Sequence, residues 1–145
     1  MQVIGFNLTK IHGEKFPSFS KAGINNNVEF TNVEKDKVEM LKDLEAIKLS
    51  FKYNLLYGNV EKPEETKEKD KQGEIYFEGN VILSATDEEA KDFHKSWKKK
   101  EIPKSSVAPL YNFILRRCSV KAINLQEDLT LPSPYLKVPI VQAKE

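Results

Sequence analysis

The chain has 145 residues, 39% of them apolar, a length that supports one hydrophobic core, so a single domain over residues 1–145 is expected. Its 23 basic and 22 acidic side chains leave a formal net charge of +1, which lacks the basic excess of a nucleic-acid binder. A lone Cys118 excludes an intramolecular disulfide and a cysteine-based zinc site, and fits a reducing compartment.

The first stretch, MQVIGFNLTKIHGEK, has no basic region leading into an apolar run and a small-residue cleavage site. No apolar run in the chain approaches a membrane span. The expectation is therefore a cytoplasmic protein without membrane insertion. Ile4, Phe6 and Leu8 alternate in VIGFNLTKI, and Val28 and Phe30 in NNNVEFTNV. Period-two alternation predicts a strand at each. The segment between them, HGEKFPSFSKAG, carries the Gly, Pro and Ser of a connection. EKDKVEMLKDLEA fits either a helical turn or a continuation of the second strand.

The third strand is the clearest. In AIKLSFKYNLLYGN, Ile47, Leu49, Phe51, Tyr53, Leu55 and Tyr57 alternate with Lys48, Ser50, Lys52 and Asn54, the pattern of a strand buried on one face of an antiparallel sheet. A fourth follows in GEIYFEGNVILSA, where Ile75, Phe77, Val81 and Leu83 share a face with Gly79. A glycine there marks either a bulge or a close approach by another segment. The charged run VEKPEETKEKDKQG between them reads as a solvated loop.

Beyond the fourth strand the period lengthens to that of a helix. Thr86, with Glu89 three residues on, forms a capping box. Acidic Asp87, Glu88 and Glu89 at the start and Lys98, Lys99 and Lys100 at the end suit the helix dipole. Ala90, Phe93, His94 and Trp97 form the stripe of this helix, and Phe51 and Trp97 are expected to meet across the layers. A longer helix starts near Ser105 or Ser106, with Pro109 in its first turn. Its stripe is Val107, Leu110, Tyr111, Ile114, Cys118 and Ala122. Four strands followed by two helices predict an α+β fold, a four-stranded antiparallel sheet with both helices packed on one face.

No constellation for chemistry stands out. His12 and His94, one cysteine and scattered carboxylates give no metal-ligand spacing, so no metal and no cofactor are expected. Ser105 and Ser106 lack a nucleophile elbow, Cys118 sits on an apolar helix face, and no phosphate-cradling glycine loop occurs. The lysines of SWKKKEIPK read as solvated partners of a helix end. The expectation is a protein that is not an enzyme.

The order of elements, GEIYFEGNVILS leading into a helical region, the Pro-aromatic start of the long helix at Pro109 to Tyr111, and the exit LTLPSPY at Leu129 to Tyr135 together resemble the SecB chaperone family. The chain departs from that pattern in its added capped helix, from about Asp87 to Lys99, and in stopping soon after the exit segment, so it resembles a divergent branch. The resemblance implies ATP-independent holding of unfolded polypeptide clients in apolar grooves, by a dimer or tetramer of identical chains, with no cofactor. It directs attention to Leu129, Leu131, Tyr135 and Leu136 as client-binding candidates, in an apolar segment that Pro132, Pro134 and Pro139 keep out of a regular helix. The competing reading is that these side chains dock on the protein's own sheet. A structural or assembly protein of the same fold without client binding is the alternative function. Self-association is also expected from the strand NLTKIHG, an edge with only Lys10 to block pairing.

Overall fold

The computed structural model describes residues 1–17, 22–36, 43–58, 62, 66–67 and 70–132. Its elements are strands β1 (Gln2–Lys15), β2 (Gly23–Lys35), β3 (Leu44–Gly58) and β4 (Gly73–Thr86), then helices α1 (Asp87–Trp97) and α2 (Lys104–Leu129). The strands form one antiparallel sheet in the order β1-β4-β3-β2, and the helices pack against it, giving the expected α+β architecture. β1 and β2 are the sheet edges. The stretch of EKDKVEMLKDLEA over 37–42, left open between helix and strand, lies outside the described residues; β2 has ended at Lys35 before it. Among the described residues no helix is long and apolar enough to cross a membrane.

The row read from the third strand is the centre of the core. Ile47, Leu49, Phe51, Tyr53, Leu55 and Tyr57 are at most 1% exposed, and on β4 Ile75, Phe77, Val81 and Leu83 are fully buried. The intervening β3 residues Lys48, Ser50, Lys52 and Asn54 stay half-exposed. At about 25 cal/mol per Å² of apolar surface, hiding such a row is worth several kcal/mol.

The chain divides into two compact units, each built from part of every strand. The first comprises Met1–Ile11, Val28–Lys52 and Phe77–Phe113. There Phe51 stacks on Phe6, with ring centroids 5.6 Å apart, and Phe6 meets Phe113 of α2 edge-on at 5.9 Å. The aromatic neighbour of Phe51 is thus Phe6, and not Trp97 as expected from stripe positions. The reason lies in α1, which buries Ala90 and Phe93 and leaves Trp97 half-buried. His94, next on the same stripe, meets Glu45 Oε2 at 2.9 Å. Gly79 is a point of close approach: a Cβ there would lie 2.2 Å from the Asn7 carbonyl oxygen and 3.0 Å from the Leu8 Cα. Only glycine lets β4 pass the β1 backbone at this distance, and Thr9 Oγ1 donates to the Glu78 carbonyl beside it at 3.1 Å.

The second unit comprises His12–Asn27, Tyr53–Tyr76 and Ile114–Glu145. Here α2 covers the sheet: a Cβ on Gly13 would lie 3.1 Å from Leu129 and 3.7 Å from Leu125. The helix buries Ile114, Cys118, Ala122 and Gln126, four residues apart, as a core-facing stripe requires. α2 starts at Lys104, earlier than expected, so Pro109 falls in its second turn and removes the amide that would otherwise bond to the Ser105 carbonyl.

Replacing Phe51 by Ala should remove about 3 to 5 kcal/mol of stability in a denaturant titration. An unchanged midpoint would show that its stack with Phe6 carries no energy.

Candidate functional site

Within the first unit, both ends of α1 are held, and its C-terminal end shapes a groove. At the N-terminus the Glu89 amide donates to Thr86 Oγ1 at 3.3 Å, and Glu89 Oε1 accepts from the Thr86 amide at 2.9 Å, completing the capping box. The ammonium group of Met1 lies 2.9 Å from Glu89 Oε2. The amide of Thr86 and then this ammonium hold the Glu89 carboxyl below its ordinary pKa.

At the other end, the Lys100 amide donates to the Trp97 carbonyl at 2.8 Å and the Glu101 amide to that of Ser96 at 3.1 Å. This is a Schellman closure, and its left-handed residue is Lys100, with φ 61°, where glycine is usual. The conformation carries the Lys100 ammonium over Trp97, 5.3 Å from the ring centroid, a cation–π contact. So one lysine of the basic cluster has a specific partner. The chain then passes through buried Ile102 and Pro103 into α2.

Between this connection and edge strand β2 lies a groove of about 440 Å³. Phe30, Trp97, Ile102 and Val107 supply its apolar lining, and Glu29, Lys100, Glu101 and Lys104 its charged rim. Val107 is 37% exposed, although its place on the helical stripe predicted burial; it faces the groove. The volume is in the range of sites that take a few side chains or a small molecule. An apolar lining within a charged rim is an arrangement suited to binding.

Of the client-binding candidates named from the resemblance, Leu129 and Leu131 belong to the second unit. Leu129 closes α2 against Gly13, and Leu131 packs beside Gly73, 3.2 Å from where a Cβ would sit; Leu131 is 6% exposed. Tyr135 and Leu136 lie outside the described residues. The turn after α2 is anchored by three groups. Tyr57 Oη donates to the Pro132 carbonyl, and Gln126 Nε2 donates to Tyr57 Oη at 2.6 Å and to the Pro132 carbonyl at 3.2 Å. A second Schellman closure ends α2, with the Thr130 amide on the Glu127 carbonyl and the Leu131 amide on that of Gln126. Its left-handed residue is Thr130, φ 55°. Also in this unit, His12 and Glu14 of β1 meet Glu74 of β4. This donor group has no spacing signature because two strands supply it.

Sequence reasoning missed the groove. Its residues come from β2, α1, the connection and α2, and the one available signal was a tryptophan at the helix end beside Lys100.

No protein-family model and no curated protein matches the sequence. Among solved structures the chain is similar to a Mycobacterium tuberculosis protein, the Rv1957 SecB-like chaperone in complex with a ChAD peptide from the Rv1956 HigA1 antitoxin. The identity is 16%, the TM-score 0.45, and the match covers 91% of this chain and 85% of that one.

Two outcomes test the C-terminal end of α2 and its core face. Thr130→Gly should raise stability by about 1 kcal/mol, because a β-branched residue in the left-handed region is strained and glycine is not; a melting curve reads this. Burial pushes the Cys118 thiol up to about 12, so a thiol reagent at neutral pH should label it only as fast as the protein unfolds. Labelling at the rate of a free thiol would contradict the burial.

Proposed function

We infer that the protein binds extended, non-native polypeptide segments and holds them without ATP or chemistry. The observation that carries this reading is the groove beside β2. It combines an apolar lining of Phe30, Trp97, Ile102 and Val107 with a rim of both charge signs, and it adjoins a strand at the edge of the sheet. An edge strand offers unpaired amides and carbonyls that recognise any extended backbone, whatever its sequence. The apolar lining then takes alternate side chains of that segment, and the mixed rim favours neither acidic nor basic clients.

On this reading client contact is centred on the groove in the first unit. Leu129 and Leu131, packed over Gly13 and Gly73, serve the fold of the second unit. A dimer or tetramer would set several grooves side by side, giving a long client more than one point of attachment.

Trp97 is the only tryptophan in the chain, so its fluorescence reports on the groove directly. Titration with a reduced, unfolded client should shift Trp97 emission and saturate, and the protein should suppress light scattering by a thermally unfolding enzyme at near-stoichiometric ratios. Val107→Asp should weaken both effects at least about tenfold, the cost of a charge in an apolar contact, with the melting temperature nearly unchanged because Val107 is exposed. A wild-type protein that neither shifts its emission nor suppresses scattering would instead support a structural or assembly role for the same fold.

A further inference from the structure

We propose that His12, Glu14 and Glu74 bind a divalent transition-metal ion, with zinc the best fit. His12 and Glu14 are two residues apart on β1 and so project from the same face; Glu74 comes from neighbouring β4. His12 Nε2 lies 3.6 Å from Glu14 Oε1 and 3.5 Å from Glu74 Oε1, and the ligand atoms of all three residues lie within 4.8 Å of one another.

The second observation concerns that nitrogen alone. His12 Nε2 is buried and has no hydrogen-bond partner, a costly condition for a polar atom. Both carboxylate oxygens are too far for a normal N–H···O bond of about 2.9 Å. They are nevertheless spaced as co-ligands are: zinc–nitrogen and zinc–oxygen bonds of about 2.0 to 2.2 Å at the tetrahedral angle put ligand atoms about 3.4 Å apart. One cation at the centre would take up the Nε2 lone pair and offset the repulsion between two carboxylates.

The surroundings hold the ligands in place. The imidazole stacks on Tyr76 with centroids 4.7 Å apart and planes 24° from parallel. Lys71 Nζ lies 3.2 Å from Glu74 Oε2, engaging that oxygen and leaving Oε1 turned towards His12, the kind of outer support metal ligands commonly have. One nitrogen and two oxygens suit zinc or cobalt better than calcium or magnesium, which prefer oxygen alone. Three protein ligands leave a fourth position for water or an external group. The ion would join edge strand β1 to β4.

Titration of the full chain with zinc, and separately with cobalt(II), tests the site. The expected result is saturation at one ion per chain, with the intense visible absorption of low-coordinate cobalt. His12→Ala and Glu74→Gln should each weaken binding at least about tenfold, and His94→Ala should leave it unchanged. Circular dichroism checks that each variant is folded. A readout on the unaltered protein stands beside these: zinc should protect His12 from diethylpyrocarbonate, followed residue by residue by mass spectrometry. Absence of saturable binding at micromolar metal, binding that survives when His12→Ala and Glu74→Gln are combined, or a His12 modification rate indifferent to zinc would overturn the proposal.

Discussion

Everything in this fold answers to the demand that the alternate row of β3, Ile47 through Tyr57, and its counterpart on β4 be kept from water. Rows so thoroughly apolar cannot face solvent, and an antiparallel sheet that buries one face needs a second layer to do it. In the first unit that layer includes Ala90 and Phe93 of α1 and Phe113 of α2; in the second it is the stripe from Ile114 to Gln126. Between the members of that row, Lys48, Ser50, Lys52 and Asn54 are free to be polar. Lys48 approaches Glu34 at 3.7 Å, an exposed pair of the kind worth little to stability.

One polar group enters the core with partners of its own. Tyr57 is fully buried, yet its hydroxyl is joined to Gln126 and to the Pro132 carbonyl. The same contacts define where the chain goes after α2, so a hydrogen-bond requirement inside the second unit becomes a constraint on the exit segment. Gln126 would look out of place on a core stripe to any reading based on hydrophobicity alone.

Regular patterns were legible in the sequence because they are local. Alternation placed β3 and β4, Thr86 and Glu89 announced the start of α1, and the spacing of Leu110, Ile114, Cys118 and Ala122 gave the buried face of α2. Features that depend on a partner distant in the chain were not legible. Gly79 could be marked as special, but the object it accommodates is a backbone carbonyl of β1. Lys100 and Thr130 take the left-handed place at two helix endings, although neither is the glycine that normally signals one. Trp97 was assigned to the core by its position on a stripe, whereas Phe93 fills the buried place and Trp97 is left to line the groove. His12, Glu14 and Glu74 likewise acquire meaning only once β1 and β4 are known to be neighbours.

That adjacency of β1 and β4 also bears on how the molecule comes into being. β2, β3 and β4 follow one another in the sheet as they do in the chain, whereas β1 closes onto β4 through pairs such as Thr9 and Glu78, 69 positions apart. The entropy of closing so long a loop grows only slowly with its length, but contacts of this range slow a folding reaction. On the ribosome the order of events is stricter still. The first strand to emerge waits for the last strand of the sheet to be translated, with Phe6 and Leu8 still lacking their cover, and synthesis must run past Glu78 before the nascent chain can close its sheet.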